Sequence, residues 1–116
     1  MLSAMAHLQP LPDHAFRPLL EADEELQSRA EATDASLLVT DRRVMVARND
    51  HLALAVPFEA LRRVQFDIDR NRLATLVLVP DRPSDPPQVL EILPDQYIDA
   101  TQALAAIARR LANVHT

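Results

Sequence analysis

The chain has 116 residues, a formal net charge of −5, and neither cysteine nor glycine. Its length suits one domain, and its 48% hydrophobic and 25% charged residues are ordinary for a globular protein. The missing cysteine excludes disulfides and thiolate chemistry, and the missing glycine excludes the glycine-rich loops that cradle phosphates. The acidic balance argues against nucleic acid as a partner, and it disfavours an anionic membrane surface.

The first residues differ in pattern from the rest of the chain. We interpret residues 1–19 as an N-terminal extension with short helical turns, and residues 20–116 as the domain itself. Leu2, Met5 and Leu8 recur at every third position, which is typical of a helical turn. Neither a signal-peptide pattern nor an apolar run of the ~20 residues needed to span a membrane is present, so we expect a cytoplasmic protein.

The middle of the chain predicts seven short strands. Apolar and polar residues alternate with the period of half-buried strands, and Asn, Asp and Pro supply the turns that glycine does not. The predicted strands are residues 25–32, 35–40, 44–47, 51–58, 63–69, 73–79 and 88–93.

Two helices flank these strands in the prediction. A short one is predicted to begin at Pro18, because proline is tolerated in a first helical turn. The longer one follows Asp95, a good N-cap residue, and continues to about residue 113. Its predicted buried face consists of Tyr97, Thr101, Leu104, Ala108 and Leu111, with Ala100, Ile107 and Val114 flanking it. The predicted core of the domain consists of Leu38, Val44, Val46, Leu54, Val56, Val64, Phe66, Ile68, Leu76, Leu78, Leu90, Ile92, Leu104 and Leu111.

Two stretches carry a resemblance to a known family. Residues 36–47 (SLLVTDRRVMVA) form an apolar strand, a Thr, a polar turn with Arg, and a second apolar strand. Residues 54–64 (LAVPFEALRRV) supply a further strand and a bend. Both resemble bacterial pleckstrin-homology-like (PH-like, or GRAM-like) domains, and the likeness spans about residues 20–111. The chain departs from the family pattern in having no glycine at its hairpins.

The resemblance implies a mainly β (α+β) fold, in which a bent antiparallel sheet forms a partly open barrel of about seven strands. A C-terminal α-helix caps that barrel. It also implies a non-catalytic interaction or assembly module, which we expect to bind protein: itself, an unidentified partner, or both. The alternative is a lipid or small-ligand binding domain at the membrane surface, and a more distant one is a dimer that resembles secretion chaperones. Fold alone does not choose among these functions.

Four arginines are candidates for contact with an anion or a partner: Arg42, Arg43, Arg62 and Arg63. The competing interpretation is that they pair with Glu24, Glu25 or Glu59, as surface arginines commonly do. We expect no catalytic residues, metal site or cofactor. The four histidines are widely separated, and no nucleophile stands at a suggestive spacing from a base.

Apolar residues on both faces of two strands predict self-association. Val77 and Val79 lie opposite the inward-facing residues of their strand, and Met45 does the same in an earlier strand. A sheet that buries one face on its own helix needs other cover for a second apolar face. The predicted self-association surface consists of Leu2, Met5, Leu8, Met45, Val77 and Val79.

Overall fold

Two antiparallel sheets and one long helix make up the protein in its computed structural model, which describes residues 12–48, 51–68 and 73–114. The first sheet has the order β1-β2-β3-β4, and the second has the order β5-β6-β7. The strands are β1 (Leu26–Glu31), β2 (Ser36–Thr40), β3 (Arg43–Arg48), β4 (His51–Pro57), β5 (Leu61–Asp67), β6 (Ala74–Pro80) and β7 (Gln88–Ile92). The helix is α1 (Tyr97–Val114), and short 3-10 helices span Asp13–Leu19, Phe58–Ala60 and Pro94–Gln96.

The predicted fold class is confirmed: seven antiparallel strands precede a C-terminal helix, and the sheets do not close into a barrel. Each strand lies within two residues of its predicted bounds. The hairpin turns predicted at residues 49–50 and 70–72 lie outside the described residues. In the described parts of the chain, no helix has both the length and the apolar composition needed to cross a lipid bilayer.

The main core lies between the two sheets and under α1. Its buried members come from every strand, from the 3-10 helix Phe58–Ala60 and from α1. Val64, Phe66, Leu104 and Leu111 are half-buried at its margin, as expected for residues near an edge. The fully buried large side chains of this core are Leu37, Val39, Val44, Val46, Leu76, Leu78, Leu90, Ile92 and Ile107.

A second, smaller core covers the opposite face of the first sheet. Phe16, from the 3-10 helix Asp13–Leu19, packs there against Leu38, Met45 and Ala47. Leu38 was predicted to share the main core with Val44. Instead it lies next to Met45 in the strand register, and its side chain packs in the second core, on the opposite face of the sheet. Strands β2 and β3 are therefore buried on both faces, which explains why the sequence of β2 is an apolar run without alternation.

Two further strand predictions are corrected by local geometry. Ile68 was predicted in the core but is 58% exposed, because β5 ends at Asp67 and the alternation stops there. In β1, the register shifts between Leu26 and Ser28, so the alternation predicted through the whole strand is broken. Leu26 consequently packs in the second core, whereas Ala30 packs in the main core.

The buried face of α1 differs from the prediction. The residues that the helix buries are Ala100, Ala103, Ala106 and Ile107. Thr101 and Ala108, which were predicted on the buried face, are exposed. Asp95 does not cap the helix, since it lies inside the 3-10 turn Pro94–Gln96 that leads into α1. The helix packs mainly on β1, and its alanines allow a close approach to that strand.

The structure also corrects the prediction for the N-terminal segment. The short helix predicted to begin at Pro18 is a 3-10 helix that begins earlier, at Asp13, and contains Pro18 near its end. Because this helix supplies Phe16 to the second core, residues 12–19 pack on the domain that was predicted to begin at residue 20.

Candidate functional site

A carboxylate without solvent contact lies where the chain enters the first sheet. Both oxygens of Glu24, which is fully buried, accept hydrogen bonds. Arg43 donates from Nε to Oε2 and from Nη2 to Oε1, each over 2.9 Å. The Thr40 hydroxyl donates to Oε2 over 2.6 Å, and the Glu21 amide donates to Oε1 over 3.0 Å. These donors and the guanidinium charge replace the water that a buried ion loses.

The electrostatics of this cluster keep Glu24 ionised. Its hydrogen bonds from Arg43 lower the pKa of Glu24 from 4.5 to about 2, although burial acts in the opposite direction. The Thr40 hydroxyl and the Glu21 amide lower that pKa as well. The carboxylate in turn raises the pKa of Arg43. An ion pair of this kind holds two segments together and leaves neither charge free for a ligand.

The same cluster joins the segment before β1 to the turn between β2 and β3. Arg43 Nη2 also donates to the Leu19 carbonyl over 3.0 Å. In the turn, Asp41 Oδ1 accepts from the Glu25 amide over 3.0 Å, and the Asp41 amide donates to the Glu25 carbonyl over 3.1 Å. The polar turn noted in the sequence is thus an anchor for the N-terminal segment.

Arg42 is paired at the surface. It contacts Glu21 over 2.7 Å and Asp23 over 2.6 Å, and its side chain is 37% exposed. The hydrogen bonds that Arg42 donates to Asp23 and Glu21 raise the pKa of Arg42, and they lower the pKa of Asp23. The interpretation that these arginines pair with acids is confirmed for Arg43 and Glu24. Arg42 also pairs with acids, but these are Glu21 and Asp23, which were not among the predicted partners.

Arg62 and Arg63 occupy a different environment on β5. Both are exposed, and neither side chain makes a hydrogen bond or ion pair with another described residue. Arg63 lies beside Val79 in the register of β5 and β6. Of the four candidate arginines, only Arg62 and Arg63 therefore remain available to an anion or a partner.

The outer sheet face is the surface of the second sheet that points away from the main core. Val77 and Val79 are half-buried at its centre, and Val89 is 55% exposed beside Val77. Arg63 lies at one end of this apolar centre, and Asp67 lies at the other. The outer sheet face consists of Arg63, Gln65, Asp67, Thr75, Val77, Val79, Val89 and Glu91.

Not every described residue of the predicted self-association surface is accessible to solvent. Val77 and Val79 lie on the outer sheet face, but Met45 is 0% exposed beneath Phe16 and is not accessible. Leu2, Met5 and Leu8 lie outside the described residues. Sequence reasoning missed the cover that Phe16 provides, because a single aromatic residue in a Pro-rich segment carries no periodic signal.

Comparison with known proteins identifies the fold. No family model matches the chain, and no curated protein matches it. A crystal structure of a pleckstrin homology domain from Shewanella amazonensis superposes with a TM-score of 0.59 at 20% sequence identity. The match covers 83% of this chain and 91% of that one. The fold is that of a pleckstrin homology domain. At this identity the likeness concerns the fold alone, and it confirms the family resemblance at that level.

The side chains that commonly ligate metals are dispersed in the described residues. No three His, Cys, Asp or Glu side chains converge in the part of the chain that the structure describes. His14 and His51 are exposed, and His7 and His115 lie outside the described residues. From the sequence, Glu24 was only one of three acids that could pair with the candidate arginines. No pattern distinguished it from Glu25, so its burial was not predicted.

Proposed function

We propose that this PH-like chain is a non-catalytic interaction and assembly module that self-associates through its outer sheet face. The observation that carries the proposal is the apolar centre of that face, Val77, Val79 and Val89, in a sheet whose other side is filled by the main core. An apolar cluster that reaches the surface of a sheet inside a polar rim is typical of surfaces that bind another protein.

The charges on this face favour a second copy of the chain as its occupant. Arg63 lies beside Val79, and Asp67 lies beside Thr75 at the opposite end of the same strand pair. A two-fold axis between two such faces, perpendicular to the strands, would bring Arg63 of each copy over Asp67 of the other. Val77 would then lie near the axis and contact its own symmetry mate.

The alternative two-fold arrangement is disfavoured by the same charges. An axis parallel to the strands would place β5 of one copy over β7 of the other. Asp67 and Glu91 both flank Thr75, so this arrangement would bring the two acids together. Like charges brought together at an interface are destabilising, so the perpendicular axis is the better choice. The interface spans only three strands, and we expect a weak, concentration-dependent dimer.

Light scattering and sedimentation between micromolar and submillimolar concentrations test the proposal. Arg63→Glu and Asp67→Arg should each weaken the dimer, and the double variant should restore it because the crossed pairs reform with exchanged charges. Arg82→Glu, an exposed arginine in the loop after β6, is the matched control and should leave the dimer unchanged. A monomer at all concentrations, or a double variant no better than the single ones, would contradict the proposal.

The lipid-binding alternative is separated by flotation with vesicles that contain phosphatidylserine. Retention of a monomeric protein on such vesicles at physiological salt, lost in Arg62→Glu, would favour that alternative.

The non-catalytic part of the proposal is supported by the dispersed histidines and by the lack of a nucleophile–base pattern. Turnover in a broad hydrolase and transferase screen that depends on one acidic residue would contradict it.

A further inference from the structure

A groove of about 600 Å³ lies between β1 and the second half of α1, away from the outer sheet face. Its volume is within the range of about 300–1,000 Å³ that is usual for ligand sites. The strand that borders it, β1, is an edge strand, since it pairs only with β2. The groove is lined by Gln27, Ser28, Gln102, Arg109 and Arg110, together with two alanines of α1.

The irregularity of β1 shapes the wall of this groove. Gln27 and Ser28 are consecutive, and in a regular strand their side chains would point to opposite faces. The register shift between Leu26 and Ser28 leaves Gln27 without a partner on β2. As a result both residues line the groove. The uncharged polar residues that line the groove are thus Gln27 and Ser28 on β1 and Gln102 on α1.

The groove is cationic in a chain that is acidic as a whole. The chain has 17 acidic and 12 basic residues, yet the groove is lined by two arginines and by no acidic residue. The Arg110 guanidinium lies 5.6 Å from the centroid of the Phe58 ring, a contact that orients it. Arg109 is exposed, and its side chain makes no hydrogen bond or ion pair with another described residue.

We propose that this groove binds an acidic peptide segment of another protein. Arg109 and Arg110 would pair with its carboxylates, and Gln27, Ser28 and Gln102 would hydrogen-bond its backbone. An open groove beside an edge strand suits an extended chain, and the charge of the groove selects an acidic one. The proposal rests on the role as an interaction module but not on self-association, which uses β5–β7.

Fluorescence anisotropy of a labelled Glu-Ala-Glu-Ala-Glu-Ala peptide at low salt tests the proposal. We expect saturable binding, weakened about tenfold by Arg109→Glu and about threefold by Arg109→Gln, as partly exposed charge pairs allow. Arg62→Glu makes the same charge change at an arginine outside the groove, and it should reduce affinity much less. The Gln-Ala-Gln-Ala-Gln-Ala peptide is the ligand control and should not bind measurably.

Chemical-shift mapping locates the peptide. The amides of residues 27, 28, 102, 105, 106, 109 and 110 should shift most. Shifts confined to β5–β7, or equal effects of Arg109→Glu and Arg62→Glu, would overturn the proposal. Binding of inorganic phosphate at these amides without peptide binding would also overturn it, in favour of a small anion. Light scattering of the same samples reports self-association independently, so failure of one proposal is distinguishable from failure of the other.

Discussion

Glu24 performs a structural task that is usually given to apolar residues. It lies in a sheet-edge region with no solvent contact, and it links the chain before β1 to Thr40 and Arg43 across the sheet. Removing one member of a buried ion pair leaves the other charge uncompensated, which costs far more than the pair contributes. The sequence indicated that the candidate arginines pair with acids. It could not select Glu24 over Glu25, because burial depends on how the segment folds back on the sheet.

We expect Glu24→Gln to reduce the free energy of unfolding by about 3 kcal/mol, the lower end of the range for a buried ion pair, because the Arg43 side chain is 24% exposed and water partly replaces its lost counter-charge. Chemical denaturation measures this change. Glu25→Gln is the matched control: Glu25 is exposed, and its contacts with Asp41 use only backbone atoms of Glu25. The control should change stability by no more than about 0.5 kcal/mol. Equal effects of the two variants would show that Glu24 has no special role.

The pH dependence of stability should identify the same carboxylate. Its pKa is about 2 in the folded protein and 4.5 ordinarily, so folding favours the ionised form. The stabilisation is therefore complete above pH 4.5 and is lost as the pH falls from 4.5 towards 2. The stability difference between the native chain and Glu24→Gln should shrink over that interval. A difference that stays constant between these values would contradict the assigned pKa.

The helix shows why an element can be predicted correctly and oriented wrongly. Its existence follows from the change of period after β7, and its start was predicted within two residues, although the N-cap by Asp95 that suggested it is not formed. Its buried face was predicted from the spacing of residues that include Tyr97, Leu104 and Leu111. Those three residues are half-buried, and the most buried positions are three alanines and Ile107, which was predicted to flank the face. Alanine occurs on every side of this helix, so the pattern of hydrophobicity could not place the face.

Two matched substitutions test the observed orientation. Ala103→Leu should destabilise the fold by about 1–3 kcal/mol, because Ala103 is 0% exposed against the main core and has no room for a larger side chain. Ala108→Leu adds the same atoms at an exposed position, so it should change stability by no more than about 0.5 kcal/mol. Thermal unfolding of both variants compares them. A larger loss of stability in Ala108→Leu than in Ala103→Leu would instead support the buried face that the sequence predicted.

At the scale of the whole molecule, contacts distant in sequence hold the two sheets together. Arg48, at the end of β3, donates to Gln88 Oε1 and to the Val89 carbonyl, each over 3.2 Å. It also pairs with Asp34 over 3.0 Å, in the turn after β1. The order of elements was sufficient to predict the fold class, because seven strands and a helix pack in few ways. The bulge in β1 and the contacts of Arg48 were not predictable, since they depend on the three-dimensional approach of the sheets.

The two outer faces of the molecule differ, and under the proposed self-association this difference sets how many copies can join. The 3-10 helix Asp13–Leu19 covers the first sheet, whereas among the described residues the outer sheet face of the second sheet keeps Val89 55% exposed. If self-association uses the outer sheet face around a two-fold axis, one contact occupies it and growth stops at two copies. Each molecule would then have a valency of one.

Uncovering the first sheet should raise that valency to two. A chain that lacks residues 1–19, or a full-length chain with Phe16→Asp, would expose Leu38 and Met45 on the side opposite Val77. Sedimentation velocity should then show a broad series of larger species instead of a single dimer, provided that circular dichroism shows the fold intact. A discrete dimer would contradict this expectation. A seven-residue helix would thus be the feature that keeps a protein with two apolar sheet faces from growing into an open-ended polymer.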